Sequence, residues 1–258
     1  MIHVYWNMVE ELPDREVNFL SPVEEKRLAQ MKFARRRQSF LLGRWTVKRL
    51  LEVHPGCAHL PVSSITIANH AAGAPYVLMG EKELDGCISI SHRENIAASA
   101  LVIYPGIAVG IDLELVEERE NSFVEDFFTA KESAWIDSLP VEEKSIAVTC
   151  LWSAKEAVLK ALGTGLRLDS RGVVIQQSTK AYRIDGWQLL DVSGTALENR
   201  VYRVWWRVRG KLVLTLAVVG KLDLAPEVEN IALEHVPAPA DEFSRLDEIK
   251  SHGIEVLR

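Results

Sequence analysis

The stretch "AVGIDLELV" (Ala108 to Val116) restricts the architecture of this chain more than any other segment. Apolar residues alternate along it as in a strand, and side chains two apart leave the same face of a sheet. Asp112 and Glu114 therefore share a face. Neighbouring carboxylates repel one another and resist burial. Two readings stay open on this pattern alone. Either the face is half-exposed and merely polar, or a hard cation is held there by oxygen ligands, most naturally magnesium bridged to substrate phosphates.

A second segment, "LWSAKEAVLKALGTGL" (Leu151 to Leu166), reads as a helix. Ser153-x-x-Glu156 matches a capping box at a helix start. Glu156 and Lys160 are i,i+4, a pair worth about 0.3–0.5 kcal/mol on any solvated helix. With Val158 at the centre of the apolar stripe, Leu162 lies about 40° away, and Glu156 and Lys160 lie about 160° to either side. That charged face is free to meet a ligand. Two or three acids with magnesium, and a lysine one turn on, suit cleavage of a phosphoanhydride. The metal neutralises phosphate oxygens, the lysine takes developing charge, and a spare carboxylate accepts a proton. No GxSxG nucleophile motif and no Walker or dinucleotide glycine fingerprint competes.

At 258 residues and 48 % hydrophobic, the chain has enough apolar surface for one large or two small cores. No apolar run reaches the ~20 residues of a membrane helix, and the N-terminus lacks a secretory layout. Cys57, Cys87 and Cys150 are too few and too scattered for a disulfide framework, so a cytoplasmic protein is expected. His54-x-x-Cys57-x-His59 has no second Cys/His pair to complete a zinc site. A net charge of −6 argues against general nucleic-acid binding. Basic residues nevertheless crowd one early segment, among them Lys26, Arg37 and Arg44. Such a run is usually a solvated helix face, and it can also receive an anion or an acidic partner.

Along the chain, "HVYW" (His3 to Trp6) predicts a first strand, and Ser21-Pro22 opens one or two helices. "SSITIANH" and "YVL" flank the turn "AAGAP" with Gly73 and Pro75, and "CISISH" alternates like a strand. "NSFVEDFFTAKESAWIDSL" predicts a helix, and "RVYRVWWRVRGKLVLTLAVVG" predicts a β-hairpin around Arg209-Gly210. Pro105-Gly106 is the expected boundary between an N-terminal half (1–105) and a C-terminal half (106–221). A Pro-containing tail (222–258) is expected to wrap the surface and end in a short helix. "FFTAKES" and "LWSAKEA" form a weak internal echo that two capping boxes explain.

Taken in order, "VGIDLE", "FFTAKES" and "LWSAKEAVLKALGTGL" resemble the signature of 4′-phosphopantetheinyl transferases of the long, surfactin-synthetase-activating type. Matches extend the resemblance over most of Ser21 to Leu166, through "SPVEEKR", "GAP" and "SISHR". It implies an α+β fold of two similar halves related by a pseudo-twofold, with coenzyme A bound between them. The implied reaction transfers the phosphopantetheine arm of coenzyme A to a serine of an acyl- or peptidyl-carrier protein, releasing adenosine 3′,5′-bisphosphate. The nucleophile then belongs to the partner.

Carried over by position, Asp112, Glu114 and Glu156 match magnesium ligands, and Lys160 matches the lysine at the phosphates. Ser91 and His92 match coenzyme contacts, Gly73 and Pro75 match the adenine loop, and Lys26 matches a basic residue near the 3′-phosphate. Arg37 and Arg44 join the coenzyme-binding set by physical argument from the basic segment. Glu132 matches a further acid, either base or supporting group. Two positions depart: Ala74 stands where the family loop usually has lysine, and Thr164 stands where lysine is common. Two fused halves build the site within one polypeptide, so a monomer is expected. The competing readings are a catalytically silent carrier-binding module, motivated by Ala74, and a phosphodiester hydrolase using the same acids with water.

Overall fold

The computed structural model describes residues 1–12, 18–178, 183–184 and 186–237. One mixed sheet has the order β13-β1-β6-β5 and a second runs β7-β12-β11-β10-β8. The first is built from β1 (Ile2–Val9), β5 (Cys87–Arg93), β6 (Ile96–Val102) and β13 (Ile231–His235). The second is built from β7 (Ile107–Leu115), β8 (Val174–Gln177), β10 (Trp187–Ser193), β11 (Arg200–Arg209) and β12 (Leu212–Lys221), with β9 (Arg183–Ile184) added on β10. A small antiparallel sheet joins β2 (Ile65–Asn69), β3 (Pro75–Met79) and β4 (Lys82–Glu83).

Period-two alternation decides how the sheets stack. Val4, Trp6 and Met8 of β1 meet Ile107, Val109, Ile111 and Leu113 of β7, with Leu214, Leu216 and Val218 of β12, in one buried cluster between the sheets. The outer face of the first sheet is covered by α2 (Ala34–Val53), and the outer face of the second by α5 (Val141–Ala161). The architecture is α+β, in layers of helix, sheet, sheet, helix. Shorter helices α1 (Pro22–Ala29), α3 (Asn121–Phe127), α4 (Ala130–Asp137) and α6 (Ala225–Glu229) fill the connections.

The two halves repeat one buried device. Ser21 caps α1 in a capping box with Glu24, and Thr129 caps α4 in a capping box with Glu132. Glu24 Oε1 accepts from the Ile67 amide at 3.0 Å, and Glu132 Oε1 accepts from the Ile175 amide at 2.8 Å. Lys48 of α2 reaches Glu24 at 2.6 Å and donates to Val62 O and Ile65 O. Lys155 of α5 reaches Glu132 at 3.0 Å and donates to Ser170 O and Val173 O. Each half therefore clasps a short capped helix, a long helix and the start of a strand around one buried ion pair.

Several sequence expectations change. "NSFVEDFFTAKESAWIDSL" is two helices, because the capping box at Thr129 starts a new one. Ser153 does not open a helix: α5 begins at Val141, and Ser153 is buried mid-helix with its hydroxyl 2.8 Å from Thr215 Oγ1. The segment after 221 does not simply wrap the surface, since β13 pairs in parallel with β1 and extends the first sheet. The short final helix expected there lies outside the described residues. The hairpin forms with Arg209 opposite Leu212 and Gly210 at φ +58°.

Gly110 sets the distance between β7 and α5. A Cβ at this position would lie 1.9 Å from Ala157 O, so only glycine allows the helix backbone to approach this strand. Gly110→Ala should push α5 outward and lower the unfolding free energy by about 1–3 kcal/mol, the usual cost of overpacking. A urea titration at equal m-value measures it.

Candidate active site

Where β7 meets α5, the even-numbered residues of β7 face the helix. Asp112 is buried, and its Oδ1 accepts from Lys160 Nζ at 2.6 Å and from Ser91 Oγ at 2.9 Å. Lys160 Nζ also donates to Ser91 Oγ at 3.0 Å and to Ile111 O at 3.1 Å. Ser91 accepts in addition from the Leu113 amide at 3.2 Å, so one hydroxyl joins β5, β7 and α5. Glu114 Oε2 lies 3.4 Å from Arg119 and 3.7 Å from Arg93, and the Trp152 side chain also bonds this carboxylate. Trp152 is in turn packed on Phe123 and Phe127, which braces the site from α3.

The electrostatics point to a missing positive charge. Burial first, then the Asp112 charge, raises Glu156 above the ordinary carboxylate range, with Lys160 opposing and Glu114 adding to the rise. Burial and Asp112 likewise raise Glu114, against Arg93, Arg119 and the Trp152 bond. Asp112 Oδ2 and Glu156 Oε1 are buried with no hydrogen-bond partner. Buried acceptors are otherwise satisfied as a rule. Among the described residues no three carboxyl, imidazole or thiol groups stand as a ready-made metal cage. Lys160 engages Asp112 Oδ1, and Arg93 and Arg119 engage Glu114 Oε2. Two bare oxygens from hard, anionic ligands nevertheless fit an oxygen-seeking dication such as magnesium.

The other expected site residues divide. Ser91 and His92 sit at the end of β5 beside this cluster. His92 keeps an exposed edge and packs so closely on α2 that a Cβ at Gly43 would lie 2.6 Å from its Nε2. Desolvation holds its pKa below the ordinary value; Lys160 and Arg44 add to this, and a bond to the Ser39 backbone opposes it. Gly73 has φ +97° in the turn joining β2 and β3, and its carbonyl accepts from Asn69 Nδ2 at 2.9 Å, with Pro75 opening β3. Asn69 Oδ1 accepts from Arg27, one residue beyond the exposed Lys26.

Three expected site residues are engaged by the fold itself. Glu132 is 2 % exposed and both its oxygens are engaged, by the Ile175 amide, the Thr129 amide and hydroxyl, and Lys155. These bonds fit the supporting group, one of the two roles left open for it. Arg44 is buried, donates to Ile67 O at 3.2 Å and lies 3.8 Å from Glu24. Burial lowers its pKa to about 10. It backs the clasp and is not a surface phosphate contact. Arg37 donates to Leu28 O at 2.6 Å and so closes the end of α1. Conversely, Arg93, Arg119 and Trp152 join the site although sequence reasoning gave none of them a ligand-binding role. The signal available was the acid pair itself, which demands counter-charges.

The structure defines a protein class at this point: a buried acidic seam, with a lysine laid across it, between two similar α+β halves. Residues 108–216 match the 4′-phosphopantetheinyl transferase superfamily. The chain is 28 % identical over 172 residues to the 4′-phosphopantetheinyl transferase gsp of Aneurinibacillus migulanus, covering 64 % of this chain and 68 % of that one. It is 27 % identical over 180 residues to the 4′-phosphopantetheinyl transferase HetI of a Nostoc species, covering 67 % and 73 %. It is 33 % identical over 104 residues to a holo-[acyl-carrier-protein] synthase of Clostridium tetani, covering 38 % of this chain and 78 % of the relative. The chain belongs to the 4′-phosphopantetheinyl transferase superfamily and is an enzyme of that class.

Two acids of the same type should respond oppositely to removal of charge. Glu132→Gln leaves the buried Lys155 ammonium without its counter-ion and should cost about 3–5 kcal/mol. Glu156→Gln should stabilise the protein at pH 8. Its folded pKa is raised, so the ionised form weakens the fold above that pKa, and the penalty disappears below the unfolded carboxyl range. The gain from Glu156→Gln should thus fade as the pH falls towards about 4. Urea midpoints across pH test both.

Proposed function

We propose that the enzyme transfers the phosphopantetheine arm of coenzyme A to a serine of an acyl- or peptidyl-carrier protein in a magnesium-dependent reaction that releases adenosine 3′,5′-bisphosphate. The observation that carries this reading is the pair of bare buried oxygens, Asp112 Oδ2 and Glu156 Oε1, beside the Lys160 ammonium. Asp112, Glu114 and Glu156 would hold the ion, which when bound supplies Lewis-acid neutralisation of the diphosphate oxygens.

This chain's own groups do the rest. The carrier serine oxygen attacks the phosphorus that bears the pantetheine arm, and the phosphoanhydride bond to the adenosine bisphosphate breaks. Glu156 accepts the serine proton. Lys160, fixed by Ser91 and Ile111 O, gives the hydrogen that Asp112 holds here to the oxygen on which charge develops. His92 and Lys26 face the coenzyme's 3′-phosphate, and an arriving phosphate dianion favours the protonated imidazole. The turn at Gly73 and Pro75 receives the adenine. No helix among the described residues is long and apolar enough to cross a membrane; both halves of the site come from one polypeptide, which supports the reading of a monomer.

Incubation with coenzyme A, magnesium and a panel of apo carrier proteins, followed by intact mass spectrometry, tests the proposal. The carrier should gain one phosphopantetheine arm. Lys160→Ala should lower turnover by roughly 10²–10³, the scale of one lost charge-stabilising donor, and Glu156→Gln should abolish it. Free bisphosphate without a heavier carrier would favour hydrolysis, and no change with any carrier would reject the transferase.

A further inference from the structure

Glu114 is held differently from the other two acids of the seam. Arg93 and Arg119 both reach its Oε2, and both also reach Glu117 Oε1, at 2.6 Å and 3.1 Å. Glu117 therefore bridges the two guanidinium groups. Arg119 lies 5.0 Å over the Phe123 ring, Phe123 packs edge-on against Trp152, and Trp152 bonds back to Glu114. The loop after β7 is thus folded over the end of its own strand and closed on itself through Glu114.

The charges in this corner nearly cancel. The carboxyl groups of Asp112, Glu114, Glu117 and Glu156 stand against the cations of Lys160, Arg93 and Arg119. A lone dication entering here meets two bare oxygens, and it must take Glu114 from two guanidinium groups that repel it. A diphosphate arriving with the ion brings anionic oxygens that offset all three cations.

We propose that Arg93 and Arg119, bridged by Glu117, are positioning residues that hold Glu114 so that the divalent ion binds tightly only together with a diphosphate-bearing coenzyme. The inference rests on the magnesium reading above and adds its order of loading. Glu117 tunes the device, because it shares the guanidinium charge that otherwise falls on Glu114 alone.

Titration of the full chain with Mn²⁺, following the electron paramagnetic resonance of the free ion with and without coenzyme A, tests it independently of turnover. In the parent protein, coenzyme A should tighten Mn²⁺ binding strongly. Arg93→Gln/Arg119→Gln should tighten binding of Mn²⁺ alone by on the order of tenfold or more and shrink the effect of the coenzyme. Arg93→Lys/Arg119→Lys keeps the charge and should behave as the parent. Glu117→Gln should shift binding of Mn²⁺ alone the other way, and this milder change guards against loss of folding in the double variant. Equal affinity for Mn²⁺ alone in the parent and the glutamine variant would overturn the proposal, as would lysine and glutamine variants that behave alike. Absence of Mn²⁺ binding even with coenzyme A would overturn the metal reading itself.

Discussion

A buried ammonium held by a buried carboxylate, used twice, organises the molecule. Taking either ion out of water costs several kcal/mol, which is recovered only where every donor and acceptor is satisfied. Lys48 meets that condition with Glu24 and the carbonyls of Phe19, Val62 and Ile65; Lys155 meets it with Glu132, Ser170 and Val173. Burial draws both ammonium groups below their ordinary pKa, and their carboxylates oppose the shift. The pairs contribute geometry more than net stability. In an α-helix adjacent residues point about 100° apart, so locking Lys155 into the second clasp fixes the rotation of α5. That rotation aims Glu156 and Lys160 at β7.

The two sheets meet along β5 and β7 by an unusual route. Cys87, Ser89 and Ser91 of β5 present side-chain acceptors to the Val109, Ile111 and Leu113 amides of β7, at 3.4, 3.0 and 3.2 Å. A strand edge with unpaired amides is a liability, and here side chains at period two satisfy those amides in place of a backbone partner. The last rung falls at Ser91, whose hydroxyl has a single hydrogen to give and gives it to Asp112. The acidic site therefore lies where the side-chain ladder stops. Gly110 brings α5 close enough for Lys160 to span that point.

Local signals were legible in the sequence. The alternation around Asp112 and Glu114, the Ser21-Pro22 helix start and the Arg209-Gly210 hairpin each depend on neighbours along the chain, and each appears as expected. Signals that depend on distant partners misled. Ser153-x-x-Glu156 has the spacing of a capping box, yet the segment before it continues the same helix, and the serine finds Thr215 across the sheet. The perceived echo between "FFTAKES" and "LWSAKEA" was a false pairing. The true counterpart of Thr129-x-x-Glu132 is Ser21-x-x-Glu24, and the kinship shows only when Lys48 and Lys155 arrive from the long helices. Arg93 and Arg119 were invisible as a pair because β5 and the loop after β7 are brought together by the seam.

Glu24 and Glu132 lie as deep as Asp112, so burial does not separate structural acids from functional ones. Satisfaction does. Every oxygen of Glu24 and Glu132 has a partner supplied by the fold. Asp112 and Glu156 each keep one oxygen bare, in a corner where their mutual repulsion already disfavours ionisation of Glu156. A fold selected for stability alone would close those valences, as it does in both clasps. Leaving them open costs the free energy of two unsatisfied acceptors, a cost that the proposed cation would offset. The same chain thus carries its own control: carboxylates as deep as one another, Glu24, Glu132 and Asp112, differ in whether the protein completes them.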